Sequence, residues 1–211
     1  MNNALPNDNF FWRWFSKIGD FLGLSVLWLL CCIPVLTIAP SSIALYDSVA
    51  HCVQGREDGP YRRFFRTLKK ELLRGIGINV LWLILITIFV LSYSILYQAG
   101  QQSQVAAIYS LVYLGTMLIP TGVLLWLIPI ESRFKHNFFS LHKTAASFAF
   151  AHLPTTAILF VVLAVAVALT LFFPILIVLT PAITVTIQCW FIERVFQRYM
   201  PEEPTKDSDD I

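Results

Sequence analysis

The chain has 211 residues, of which 57% are hydrophobic and 13% charged, with a formal net charge of +2. Soluble domains carry about 25% charged and about 45–50% apolar residues. A mean hydropathy of +0.69 and an aromatic share of 14% exclude a soluble enzyme, a disordered protein and a secreted disulfide scaffold, leaving an all-α polytopic membrane protein.

A bilayer core takes about 20 mostly apolar residues per helix. Five stretches meet that length: Phe21–Ala39, Ile76–Tyr97, Val105–Ile130, Leu153–Leu171 and Pro174–Phe191. None of them holds Asp, Glu, Lys, Arg or His. The uncharged run Thr155–Phe191 is too long for one crossing and must turn near Phe172–Pro174. The sequence therefore predicts a bundle of five transmembrane helices, with residues 1–200 as one membrane domain. The alternative is four helices plus a re-entrant N-terminal hairpin broken at Pro34. A cleavable signal peptide is not expected, because Pro40 follows the only plausible cleavage residue, Ala39.

Thirteen of the fifteen Lys and Arg lie in Pro40–Gly75, in the segment after the third stretch, or in the C-terminal tail. Five crossings place these together, in the cytoplasm by the positive-inside bias, and the N-terminus outside. Arg13 and Lys17 alone fall on the far side, and a re-entrant hairpin would bring them back. The tail 201–211 holds five acids and one Lys, which predicts a solvated, disordered end.

Asp58–Arg74 carries the strongest local pattern. Asp58 suits a helix cap and Pro60 the first helical position. At 100° per residue Tyr61, Phe64, Phe65, Leu68 and Leu72 form one stripe. Arg62, Arg63, Arg66, Lys69, Lys70 and Arg74 cover the other side. Such a helix serves as a membrane-surface anchor on the lipid bilayer or as a docking surface for a cytoplasmic partner; nucleic acid is not an expected partner. Ser41–Gln54 is a weaker amphipathic helix, with Leu45 and Val49 on one side and Asp47 and His51 on the other. Phe64–Lys70 and Phe138–Lys143 echo each other, as do Leu27–Pro34 and Leu125–Pro129, which suggests an internal repeat.

No catalytic, cofactor or metal motif emerges. Stretches free of ionisable groups argue against a coupled-ion transporter. Mid-span Ser, Thr, Asn and Gln (Asn79, Thr121, Thr184 and Gln188 among them) are expected to bond back to their own helices or pack between helices. Cys31, Cys32, Cys52 and Cys189 read as small buried hydrophobes. His51, His136, His142 and His152 read as surface or interfacial side chains. Glu131 with Arg133, and Glu193 with Arg194, are expected to pair or snorkel at the membrane boundary. Pro34, Pro120, Pro129 and Pro181 mark helix kinks or cavity walls, since a proline frees a backbone carbonyl.

Ile18-Gly19-Asp20, Leu27-Trp28-Leu29-Leu30-Cys31, Ile33-Pro34-Val35-Leu36-Thr37-Ile38 and Ser42-Ile43-Ala44-Leu45-Tyr46 together resemble the opening of the YesL family of small bacterial integral membrane proteins. Ala151–Thr156, Phe173-Pro174 and Glu193-Arg194-Val195-Phe196 are similar to its later blocks. The resemblance implies a bacterial plasma-membrane location and, through gene neighbourhood, an association with carbohydrate uptake. A sugar ABC transporter or a sensor kinase is then the implied partner; no catalytic residue is implied.

The expected function is thus a non-enzymatic accessory component of carbohydrate uptake or sensing. The alternative is a small transporter or channel for a neutral solute, built around Pro120, Pro129 and Pro181 and expected to be a homodimer. An enzyme acting on lipid needs acids or His clustered at one interface, and the pattern offers too few.

Overall fold

A computed structural model describes residues 10–53, 59–101, 104–134 and 137–198, and every regular element in them is helical. The helices are α1 (Phe10–Cys32), α2 (Ile38–Val53), α3 (Pro60–Gly100), α4 (Gln104–Thr116), α5 (Leu118–Arg133), α6 (Phe138–Ala151), α7 (Leu153–Phe172) and α8 (Thr180–Phe196). Three helical segments are long and apolar enough to cross a membrane: Pro60–Gly100, Ala107–Arg133 and Leu153–Phe172. The expected cap Asp58, His136 and the acidic tail lie outside the described residues.

Proline decides where the apolar runs break. Pro34 cannot donate to α1 and disfavours helical backbone at Ile33. α1 therefore stops at Cys32 inside the stretch expected to be one span, and Pro34 is extended at φ −75°, ψ 111°. Thr37 then caps the turn, its hydroxyl within reach of the Cys31 carbonyl and 2.6 Å from that of Pro34. The chain folds back as α2. Trp28 Nε1 donates to Ser42 Oγ at 3.1 Å beside the turn, and Leu24 packs in one cluster with Ala44, Leu45 and Val49 further along. α1 and α2 are thus a helical hairpin whose open end meets the start of α3, where the Tyr61 hydroxyl reaches the Gly19 carbonyl at 3.4 Å.

α3 joins the basic segment and the second apolar stretch in one uninterrupted helix of 41 residues, about 60 Å long at 1.5 Å per residue. α2 packs antiparallel along its first half. The approach is tight at Gly75, where an added Cβ would sit 2.9 Å from the Pro40 Cα. Asn79 Nδ2 donates to the Val35 carbonyl at 2.8 Å, satisfying a turn carbonyl in apolar surroundings. This polar residue does not bond back to its own helix; Thr121 and Thr186 do.

The third stretch is interrupted at Met117. Pro120 has no N–H for the Thr116 carbonyl, and Met117 N–H bonds Leu114 O instead. Pro129 sits inside α5 without ending it, and Pro181 occupies the first turn of α8, where the missing donor costs nothing. After α7, Phe173 leaves the helix at φ −131°, ψ 85° ahead of Pro174. Pro174–Val178 forms a 3-10 turn, so the fifth stretch is helical only from Thr180. α7 and α8 pair as a second hairpin, with Thr170 Oγ1 3.3 Å from Thr180 Oγ1.

α8 lies across the first hairpin. Near its start, the Ala182 N–H donates to Ser25 Oγ of α1 at 3.1 Å, satisfying a donor that the first turn of a helix leaves orphaned. Near its end, Glu193 meets Tyr46 of α2. Of the echoing pairs, Phe64–Lys70 and Phe138–Lys143 are both helical, whereas the chain reverses after Leu27–Pro34 but stays helical through Leu125–Pro129 to Arg133.

Candidate functional site: a buried ionic layer beside an apolar cavity

α2 is the centre of the molecule. Ile43, Ala44, Val49 and Ala50 have no exposed surface, and Asp47 and His51 are buried as well. Periodicity alone marked Asp47 and His51 as the polar side of this helix. Here the polar side faces protein, because Arg63 and Thr67 of α3 cover it. Arg63 donates from Nε and Nη2 to separate Asp47 oxygens at 2.9 Å each, and Thr67 Oγ1 donates to Asp47 Oδ2 at 2.6 Å. His51 Nδ1 donates to the Asp47 carbonyl at 3.0 Å. Burial lowers the His51 pKa below its usual 6.5, and the neighbouring Arg63 and Arg133 push the same way against Asp47.

Two further ion pairs extend the layer, and neither joins the sequence neighbours expected to pair. Glu131 is taken by Arg74 of α3 at 2.8 Å. Arg133 donates from Nη2 to Glu193 of α8 at 2.7 Å and from Nε at 3.0 Å. Arg194 stacks on Trp190, its guanidinium carbon 3.6 Å from the ring centre. These contacts clamp α2, α3, α5 and α8 together, and sequence reasoning missed them because each partner lies far away in the chain. Charged pairs of this kind are strongly destabilising to break, because the survivor stays buried and uncompensated.

The six basic residues therefore separate. Arg63 and Arg74 turn inward to Asp47 and Glu131, while Arg62, Arg66, Lys69 and Lys70 stay exposed. Of the apolar stripe, Phe64 is buried in the α1–α2 cluster, whereas Phe65 stays exposed. His51 is buried rather than interfacial. His142 is half-buried and stacks on Trp82 at 6.4 Å. Cys189 is buried, the other three cysteines are half-buried, and all four are free thiols. Among the described residues no group of three or more His, Cys, Asp or Glu is placed to hold a metal.

Next to the ionic layer lies a cavity of about 560 Å³ between the α1–α2 hairpin, α5, α7 and α8. Pro129 and Pro181 form part of its wall; Pro120 and Pro34 do not, although the nearby Thr121 and Cys32 do. Half of its lining residues are Leu, Ile, Val or Ala, and none of them carries a charge. Most of the hydroxyls are committed already: Thr121, Thr170 and Thr180 donate to carbonyls of the preceding turn, and Ser42 donates to Ile38 while accepting from Trp28.

Residues 21–94 match a family described as a protein of unknown function, DUF624. The match runs from Phe21 through the α1–α2 hairpin and most of α3, and so covers the Asp47–Arg63 pair and the exposed basic residues. No curated protein and no solved structure matches the chain.

Proposed function

We propose that the chain is a non-enzymatic integral membrane protein of the bacterial plasma membrane, acting as an accessory component of carbohydrate uptake or sensing. The observation that carries the docking role is the division of the basic residues on α3. Arg63 and Arg74 fasten the helix to the protein, and Arg62, Arg66, Lys69 and Lys70 remain exposed on it, Lys70 beside Glu71 at 3.0 Å. A rigid, exposed row of cations suits an acidic partner surface, where complementary charge speeds encounter and fixes orientation. The carbohydrate assignment, with a sugar ABC transporter or sensor kinase as partner, rests on the resemblance to the YesL family.

The topology that fits this reading is four crossings plus a re-entrant α1–α2 hairpin. The contact of the Tyr61 hydroxyl with the Gly19 carbonyl, which brings the two ends of the hairpin together, supports this reading. All fifteen Lys and Arg then gather on the cytoplasmic side, with both termini, in place of the external N-terminus expected from five crossings. The exposed apolar tip of the hairpin, Ile33, Val35 and Leu36, suits insertion into lipid.

Purification from native membranes at endogenous levels tests the docking role. A partner should co-purify with the unaltered protein and be lost when Arg62, Arg66, Lys69 and Lys70 are all replaced by Glu; recovery of the protein alone in both cases sinks it. The cavity favours a second reading, a carrier or channel for a neutral solute that works as a homodimer. That reading requires flux into proteoliposomes above the rate of empty vesicles.

A further inference from the structure

We infer that the cavity between the α1–α2 hairpin, α5, α7 and α8 is the binding site of a neutral lipid with one hydroxyl-bearing head. The inference does not rest on the accessory role. At about 560 Å³ the cavity falls in the range of about 300–1,000 Å³ typical of small-molecule sites. No charged side chain lines it, which removes the counter-ion that a phosphate, carboxylate or ammonium head needs on leaving water.

The choice between a sugar and a lipid follows from the hydrogen-bonding groups. A sugar carries a hydroxyl on nearly every carbon, and each one buried without a partner costs about 1–3 kcal/mol. Ser42, Thr121, Thr170 and Thr180 already donate within the protein. Gln188 and Thr184, one turn apart on α8, line the cavity and make no side-chain hydrogen bond among the described residues. The amide of one and the hydroxyl of the other supply donors and acceptors for a single polar group. The remaining wall is hydrocarbon and aromatic, and takes a chain. A second apolar recess of about 270 Å³ between α7 and α8 shares Ala166, Thr180 and Thr184 as walls and extends the room for a long tail. The head thus sits at Gln188 and Thr184, and the tail lies along Leu124, Ile128 and Leu163.

Trp28 lines the same cavity and reports on occupancy. The test adds ω-bromoundecanol to the full-length protein in detergent micelles and follows quenching of tryptophan fluorescence, with ω-bromoundecane and maltose as comparisons. The expected result is saturable quenching by the alcohol that is largely lost in Trp28→Phe and in Ala166→Phe, which fills the cavity. Gln188→Leu should weaken the alcohol about three- to tenfold, the loss of one neutral hydrogen bond, and leave the bromoalkane unchanged. Should Ala166→Phe fail to fold, the alcohol-against-alkane comparison in Gln188→Leu decides alone. Quenching that rises without saturation, that is equal in Ala166→Phe, or that does not distinguish alcohol from alkane overturns the inference, as does displacement of the alcohol by maltose.

Discussion

Arg63 grips Asp47 through two hydrogen bonds of 2.9 Å, one to each carboxylate oxygen, and so ties α3 to the buried helix α2. The fork geometry is specific to guanidinium, which presents two parallel N–H groups to a carboxylate; a lysine offers one point charge. Thr67 makes the third bond to the same carboxylate. Asp47→Ala should therefore cost about 3 kcal/mol, because the arginine keeps its charge in a site built for two. Replacing both, as Asp47→Leu with Arg63→Met, should recover most of that loss. Denaturation of the purified variants in mixed micelles measures both, and equal stability of the single and double variants would contradict the role given to the pair.

His51 gives the fold a pH dependence of predictable sign. Its pKa is lowered by burial, so below the usual imidazole value of 6.5 the unfolded chain takes up a proton that the folded chain resists. Its contribution is fully present above pH 6.5 and is lost as the pH falls toward the depressed folded value. Melting temperature should drop between pH 7 and pH 5, and His51→Gln should show a shallower drop. Parallel profiles for the two proteins would show that other groups control the acid response.

Gly75 and Gly77 are two residues apart on α3 and should respond oppositely to alanine. A Cβ at Gly75 would meet the Pro40 backbone at 2.9 Å, whereas at Gly77 its nearest neighbour is a Phe138 ring atom at 3.9 Å. Gly75→Ala should destabilise by about 1–3 kcal/mol through separation of α2 from α3. Gly77→Ala should be neutral or stabilise by up to about 1 kcal/mol, the ordinary helical preference for alanine. Thermal unfolding of the two variants side by side distinguishes the positions.

Placing Gly19 against Tyr61 has a consequence for labelling in cells. Cysteines introduced at Asn3 and at Lys69 in a cysteine-free background should both react with a membrane-impermeant maleimide only after the cells are opened. Labelling of the Asn3 position in intact cells would favour five crossings over the re-entrant hairpin.

The gross character of the chain was legible without a structure. Apolar runs in a lipid solvent must satisfy their own backbone and so become helices, and some prolines mark where those helices end, although Pro129 sits inside α5. Pro34 and Pro174 both lie at such ends. Residues whose environment depends on distant chain were not legible. Asp47 and His51 read only as the polar side of an amphipathic helix, because periodicity sorts residues into faces without saying what covers each face. Arg63 and Arg74 were indistinguishable from Arg66, although the first two are held by buried carboxylates and the third is exposed. Glu131 and Glu193 looked matched to their sequence neighbours, yet each is held by an arginine from another helix.

By itself, then, the sequence determined a helical chain apolar enough for a membrane, with its basic residues in a few segments, since composition and periodicity act locally. The tertiary structure decided that the first apolar stretch turns back on itself, that α2 is the core, and that a charge-free cavity opens beside three ion pairs. Those outcomes follow from long-range packing, where Gly75 admits Pro40 and Ser25 receives the start of α8. A local pattern carries no record of such meetings, because the cost of burying a charge or a backbone donor is settled only by the partner that arrives.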